Sequence, residues 1–320
     1  MTGRPALLVG IDTEADDQWS AGGRRRLEVR NAERLPALQA LCDGFGVRPT
    51  YLVTHEMATR EESGGVLREL GGTGRCEIGT HLHPWSSPPF RPEDLDGHTY
   101  PHNLPPHLLD RQITELTGTI ESCLGVRPVT YRAGRNGFDG GSLPILERLG
   151  YRVDTSVDPL FNERRKGGMI FAGAPLVPYH PDYADVRRPG ASRILEVPIS
   201  AAAMPPLPRP LERLYAALPP IPWRGALKRA GLRAVWLRPS YSTVADMRDL
   251  AFRLGARGVP CLNVVFHSSE LLAGGSPYTP DAASVMRFLD RLKRLLEHLT
   301  GPLGAVGRTY AEFAAAHEGR

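Results

Sequence analysis

Asp12 and Glu14 stand two residues apart just after a short apolar run, Ala6–Ile11. At the end of an extended strand, positions i and i+2 project to the same side. The two carboxylates are therefore expected to face one pocket, where one can bind a metal ion and the other can act as a base on water. Alone, D-x-E also occurs often in acidic surface loops. A second pair, His81 and His83, lies in Gly79-Thr80-His81-Leu82-His83-Pro84-Trp85. Two neutral imidazoles at this spacing can converge on a divalent cation, whereas a lone histidine is more often a satisfied polar group. Glu14, His81 and His83 together offer one oxygen and two nitrogens. They leave an open coordination position, as a catalytic site requires.

Tyr131-Arg132-Ala133-Gly134-Arg135-Asn136-Gly137 follows another short apolar strand. Arg132 can orient a carboxylate base through a bidentate contact, and the Gly134–Gly137 turn can present backbone N–H groups to a developing oxyanion. The alternative is an ordinary surface arginine in a turn. His267, in Val264-Val265-Phe266-His267-Ser268-Ser269-Glu270, sits after a buried strand as a candidate general acid. Asp154 opens Asp154-Thr155-Ser156 at a further strand end. His98, His102, His107, His180, His298 and His317 have no such context and read as surface or loop residues.

The elements that position these groups recur along the chain. Short apolar strands are expected at Ala6–Ile11, Thr50–Val53, Cys76–Ile78, Val129–Tyr131, Tyr151–Val153, Ile194–Ile199 and Cys261–Phe266, each running into polar residues. Helices lie between them. One follows Asn31 as N-cap, with Leu35, Leu38, Leu41, Cys42 and Phe45 on one face and Gly44 and Gly46 as stops. Another carries Leu109, Ile113, Leu116, Ile120 and Cys123 up to Gly125. A third is capped by Asp281, with Val285, Leu289, Leu292, Leu296 and Leu299 on its face. Alternation of this kind predicts an α/β fold with a parallel sheet or barrel, whose chemistry collects at the carboxyl ends of the strands. Residues 201–240 break the rhythm with eight prolines and seven Arg/Lys against the single acid Glu212. They read as an insertion or lid, with a sugar-stacking or membrane-surface element as the sharper alternative.

The 320 residues are compatible with two domains or with one α/β barrel carrying insertions, and residues 1–320 are expected to form a single catalytic domain. A hydrophobic share of 41% and a charged share of 23% exclude a disordered or fibrous chain. The net charge of +4 is spread without a basic stripe, so no nucleic-acid partner is expected. Cys42, Cys76, Cys123 and Cys261 lie far apart and read as reduced, buried thiols. No apolar run approaches the ~18 residues of a membrane span, and the run after Met1-Thr-Gly-Arg-Pro is short for a leader peptide. A cytoplasmic location is the resulting expectation.

In order, D-x-E, G-x-H-x-H, Y-R-A-G-R-x-G, D-T-S and F-H-S-S-E-L resemble the motifs of the polysaccharide deacetylases of the NodB-homology group, carbohydrate esterase family four. The likeness is nearest to a WalW-like branch and spans about Val9 to Leu272. It implies a distorted (β/α) barrel of about seven parallel strands and hydrolysis of acetamido groups on sugars. It also implies one divalent ion, Zn²⁺ first and Co²⁺, Ni²⁺ or Mn²⁺ as alternatives, held by a carboxylate and two histidines. By position, Asp12 matches the base, Glu14 the metal carboxylate, His81 the first metal histidine, Arg132 the residue that orients the base, and His267 the acid. Asp154 matches the carboxylate supporting that acid. The family's Asp-Asp is here Asp12-Thr13-Glu14. Its histidines stand four apart, where this chain has Trp85, so the second ligand is assigned to His83. Trp85, Tyr131 and Asn136 are expected to contact substrate.

The expected substrate is an acetylated amino sugar, such as an intracellular glycan, a nucleotide- or lipid-linked sugar, or a glycoside intermediate. Peripheral membrane contact through 201–240 is compatible with this. Two rival readings stand beside it: hydrolysis of another C–N bond (a non-sugar amide, a formamide or a cyclic ureide) and a glycan-binding barrel without turnover.

Overall fold

The computed structural model describes residues 4–89 and 99–319. Readings that fall on Met1–Gly3 and on His98 lie outside them. In chain order the principal strands are β1 (Ala6–Thr13), β2 (Thr50–Val53), β3 (Glu77–Leu82), β4 (Thr130–Ala133), β5 (Val153–Asp154) and β6 (Leu195–Glu196). An antiparallel pair follows, β7 (Ala201–Met204) with β8 (Arg233–Trp236), and then β9 (Cys261–His267) and the short β10 (Val306–Gly307). All but β7 and β8 run parallel in one curled sheet, a distorted α/β half-barrel ordered β9-β1-β2-β3-β4-β5-β6, with β10 beside the start of β1. The gap between β6 and β9 has no ladder. Asn263 on β9 bridges it, its Nδ2 donating to the carbonyls of Val197 and Pro198 at 3.1 Å each.

Strand alternation explains both layers of the core. On β1, Leu7, Val9 and Ile11 point outward into the large cluster shared with the helices, while Ala6 and Leu8 point inward. On β9, Leu262, Val264 and Phe266 point outward and Cys261 inward. The inner cluster is closed by Tyr310, Phe313 and Ala314 of the C-terminal helix (Tyr310–Glu318), which packs inside the barrel. Carrying the alternation forward puts Asp12 and His267 on the inner face, where they are register partners on adjacent strands.

The helix over Pro106–Leu124 ends at Gly125, whose φ of 71° takes the left-handed cap that favours glycine. The helix over Ala282–Thr300 begins at Asp281, which accepts from the Ser284 N–H. The helix over Leu35–Asp43 keeps its apolar face, but Asn31 is not its cap. Asn31 lies in a preceding 3-10 turn, buried, and its Nδ2 donates to the Glu14 carbonyl at 2.9 Å and to Asp16 Oδ1 at 2.7 Å. The cysteines are free thiols, but Cys76 and Cys123 are only half-buried. Residues 201–240 form a unit of their own: β7 and β8 enclose helices over Arg209–Ala217 and Gly225–Arg229, and the unit packs through Ala201, Ala203 and Tyr215. No helix among the described residues is long and apolar enough to cross a membrane.

Candidate metal and catalytic site

At the carboxyl ends of the strands opens a cavity of about 960 Å³, with Asp12, Glu14, His81, His83, Arg132 and His267 in its wall. His81 comes from β3 and pairs in register with Arg132 on β4. Glu14 follows β1 directly and is pinned by its backbone: its N–H donates to Ser268 Oγ at 3.2 Å and its carbonyl accepts from Asn31. Gly134 is needed where it stands, because a Cβ there would lie 2.6 Å from His83 Cδ2 and press on the Leu82 carbonyl.

Glu14, His81 and His83 are buried, and one donor atom from each lies within 4.8 Å of the others. Glu14 Oε2 is 3.3 Å from His83 Nε2 and 3.9 Å from His81 Nε2. The backbone carbonyl of Arg132, 3.0 Å from His81 Nδ1, fixes that ring with Nε2 turned toward the glutamate. Burial pushes His81 down to about 4 and His83 well below the usual imidazole range, so both rings are neutral. Burial, together with the charges of Asp12, Glu56 and Glu270, pushes Glu14 well above the usual carboxylate range. Two neutral nitrogen donors converging on a buried carboxylate that has no Arg or Lys ion pair among the described residues fit a divalent metal ion, which needs deprotonated ligands and supplies positive charge.

Asp12 sits beside this triad, its Oδ2 4.0 Å from His81 Nε2. Burial alone would raise its pKa, but Arg132 foremost, with His81 and His267, holds it well below the usual carboxylate range. Arg132 Nη1 donates to Asp12 Oδ1 at 2.6 Å. The expected bidentate contact is not formed, because the other guanidinium donors are engaged elsewhere. Nε donates to the Thr155 carbonyl at 2.9 Å, and Nη2 to Thr155 Oγ1 and to Tyr310 Oη at 3.2 and 3.1 Å. Gly10 leaves the room for this: a Cβ there would collide with Tyr310 Oη and lie 2.8 Å from Arg132 Nη2.

His267 Nε2 faces Asp12 Oδ2 at 3.7 Å. Its Nδ1 lies 2.9 Å from Glu270 Oε1, which also accepts from Arg238 Nη2 at 2.9 Å. Glu270 is buried, yet Arg238 and His267 lower its pKa, and Arg238 Nη2 also lies 2.9 Å from His267 Nδ1. The supporting carboxylate is thus Glu270, and the assignment of Asp154 to that role is corrected. Val153 faces the barrel interior, so its neighbour Asp154 projects to the opposite side of the sheet, where it accepts from Ser156 N and Oγ at 2.9 and 2.8 Å. There it is the register partner of Glu196.

Tyr131 is corrected for the same reason. Arg132 faces inward, so Tyr131 faces outward, fully buried in the outer cluster and edge-on to Tyr151. Trp85 lines the cavity but is nearly covered; it stacks on His83 with ring centroids 4.2 Å apart, and its Nε1 donates to Gln18 Oε1 at 2.8 Å. Asn136 lines the cavity and donates to the Ser156 carbonyl at 2.7 Å. In the Gly134–Gly137 turn, the Gly137 N–H is taken by the Gly134 carbonyl at 3.0 Å. Among the described residues, His102, His107, His180, His298 and His317 are not part of the cavity wall.

Sequence reasoning missed Glu270, Arg238, Trp19 and Tyr310. Glu270 carries a local signal, since it stands three residues after His267 and closes a capping box on it. Arg238 comes from the end of the 201–240 segment, so this segment reaches His267 as well as lining the cavity. Trp19, edge-on to His267 at 5.0 Å, forms an aromatic wall with Tyr278 and Tyr241, whose hydroxyls meet at 2.9 Å.

No family model matches the chain, and no curated protein matches it. Solved structures do. A candidate polysaccharide deacetylase from Mycobacterium smegmatis is similar with a TM-score of 0.55 at 16% identity, over 99% of this chain and 92% of that one. The 4-α-glucanotransferase of Thermococcus litoralis gives 0.54 at 13% identity over 98% of this chain, which spans only 40% of that enzyme. A GH57-type branching enzyme from Pyrococcus horikoshii gives 0.54 at 12% identity, over 99% and 71%. The chain therefore has the fold of the polysaccharide-deacetylase, NodB-homology barrels, a scaffold that the two α-glucan enzymes share. Function rests on the site built upon it.

Proposed function

We propose that this protein is a metal-dependent hydrolase that removes the N-acetyl group from an amino sugar, releasing acetate. The observation that carries the reading is the convergence of Glu14, His81 and His83 beside an aspartate kept ionised by Arg132 and a histidine held by Glu270. The likeness to the Mycobacterium smegmatis structure supports the substrate class. So do Trp19, Tyr241 and Tyr278 in the cavity wall, since aromatic side chains suit the apolar face of a sugar.

A divalent ion held by the three ligands, Zn²⁺ by donor type with Co²⁺, Ni²⁺ or Mn²⁺ as alternatives, would polarise the amide carbonyl and make water more acidic. The chain's own residues supply the proton transfers. Asp12, deprotonated and oriented by Arg132, accepts the proton of the attacking water. His267 presents Nε2 to the same space and protonates the departing nitrogen, while Glu270 holds Nδ1 and balances the imidazolium charge. The amide C–N bond breaks, the acetyl carbon gains the water oxygen, and the free amine leaves.

The α-glucan enzymes of the same fold raise glycosyl transfer as a comparison. That chemistry ordinarily needs two carboxylates flanking a glycosidic bond. Here Asp12 is committed to a guanidinium and Glu14 to two imidazoles, which favours the hydrolytic reading. The test is acetate release by the Zn²⁺-loaded protein from N-acetylated mono- and oligosaccharides, compared with simple amides, formamides and cyclic ureides. Turnover of N-acetyl sugars alone is the expected result. Turnover of the other amides alone would replace the substrate class, and binding of sugars without turnover of any compound would leave a glycan-binding barrel.

A further inference from the structure

Two arginines in the cavity wall take no part in the chemistry above. Arg24 and Arg135 both line the cavity, and each is tied to the flank of His83. The Arg24 guanidinium lies over the Trp85 ring, 5.3 Å from its centroid, and Trp85 in turn stacks on His83. Arg135 follows Gly134, where a Cβ would lie 2.6 Å from His83 Cδ2, and its guanidinium lies 3.9 Å over the Tyr100 ring. Neither has a carboxylate partner among the described residues. Arg24 donates from Nε and Nη2 to the carbonyls of Gln18 and Trp19, and Arg135 donates to the hydroxyls of Thr99 and Tyr100. Each guanidinium carries five N–H donors, so each keeps donors to spare.

Most other cations around the cavity are already neutralised or spoken for. Arg132 pairs with Asp12, Arg238 with Glu270, Arg233 with Asp246 and Lys166 with Glu163. Arg224 is buried against the carbonyls of Leu160, Tyr215 and Ala216. The acid whose charge acts on Arg24, Asp17, already faces Arg26 at 3.8 Å and accepts from Ser20. Arg135 and its neighbour Asn136 hold left-handed backbones, with φ of 53° and 55°, a conformation rare for non-glycine residues and one that persists where the surroundings require it. Burial foremost, and then the charge of Arg135, depress the pKa of Arg24 against the opposing charge of Asp17, so the two guanidiniums on this wall lie within electrostatic reach of each other.

We propose that Arg24 and Arg135 form an oxyanion subsite beside the metal triad, so that the substrate sugar carries a phosphate or carboxylate group recognised by the two guanidiniums. Planar guanidiniums match both groups by paired N–H donors, and stacking on Trp85 and Tyr100 holds the forks in place before the ligand arrives. The identity of the sugar rests on the deacetylase reading, whereas the subsite itself does not.

The test is calorimetric titration of the metal-free full-length protein with four probes: N-acetylglucosamine, its 1-phosphate, its 6-phosphate, and N-acetylmuramic acid, which carries a carboxylate. At least one charged probe is expected to bind about tenfold or more tightly than the neutral sugar. The preference should shrink in R24Q and in R135Q, vanish in the double variant, and be partly restored by R24K/R135K, which keeps charge but loses the fork. Which probe wins distinguishes phosphate from carboxylate. Thermal melts establish that the variants fold; a purely structural arginine would lower the melting temperature and leave the charged-to-neutral ratio alone. Equal binding of all four probes, or a preference that survives the double substitution, overturns the subsite. Arginine-dependent binding of a charged probe with no acetate released after Zn²⁺ loading keeps the subsite and removes the deacetylase. Acetate release from the neutral sugar, unaffected by the substitutions, does the reverse.

Discussion

Arg132 Nη1 and Asp12 Oδ1 meet at 2.6 Å although β2 and β3 lie between their strands, so the guanidinium reaches across the barrel interior to hold the carboxylate. Thr155 and Tyr310 fix the arginine from below. Replacing Arg132 with Gln leaves Asp12 without its cation and Tyr310 without its donor. Breaking such a buried pair costs about 3–5 kcal/mol. Asp12 would then titrate higher and stay protonated further up the pH scale, which moves the acidic limb of the kcat/KM profile to higher pH. Denaturant melts and a pH–rate profile of R132Q check both effects; an unmoved limb would detach Asp12 from the role of base.

Asp12 is adjacent to the metal triad without belonging to it. D12N should therefore lose turnover by about 10²–10⁴-fold while elemental analysis finds the metal content of the wild type. H81A and H83A should lose the metal itself. Normal activity in D12N would place the base elsewhere.

Glu14 has a pKa raised in the folded state by burial first and by neighbouring carboxylates next. Its protonated form favours folding, so that contribution is full below the ordinary carboxylate range and is lost as pH rises through the folded value. Metal-free E14Q should melt above metal-free wild type near neutral pH, and the gap should close in acid. Added Zn²⁺ reverses the order, since ligand at about 100 times its Kd stabilises the wild type by about 2.7 kcal/mol and E14Q by less. Scanning calorimetry with and without chelator reads both; a metal-free E14Q less stable than the wild type at neutral pH would contradict an unbalanced charge at this position.

Asp158, in the cavity wall, accepts from Leu160 N at 2.9 Å and from Trp236 Nε1 at 2.8 Å, yet burial raises it from 3.8 to about 6. The sign is the same as for Glu14: stability is full below its unfolded value and falls as pH climbs to the folded one. The loss integrates to about 3 kcal/mol. Urea titrations from acid to neutral pH should show this decline in the wild type and a flatter course in D158N; parallel curves would refute it.

Much of the site was legible because its logic is local. Asp12 with Glu14 and His81 with His83 follow from i, i+2 spacing at strand ends. The helices ending at Gly125 and beginning at Asp281 follow from apolar spacing and caps. What the sequence by itself determined, then, is which residues share a face and at which end of a strand they stand. Which face turns inward was decided only by tertiary structure. β5 is two residues long, so its pattern carries little orientation, and a one-residue difference puts Asp154 outside the barrel and Thr155 against Arg132. The same parity turns Tyr131 away from the cavity. Glu270 had a local signal in its spacing from His267, but Arg238 and Tyr310 had none. Tyr310 is 178 positions from the arginine it contacts, and Arg238 arrives from the 201–240 segment, whose path depends on packing. Contacts of this kind exist only once the sheet has curled and the last helix has entered it.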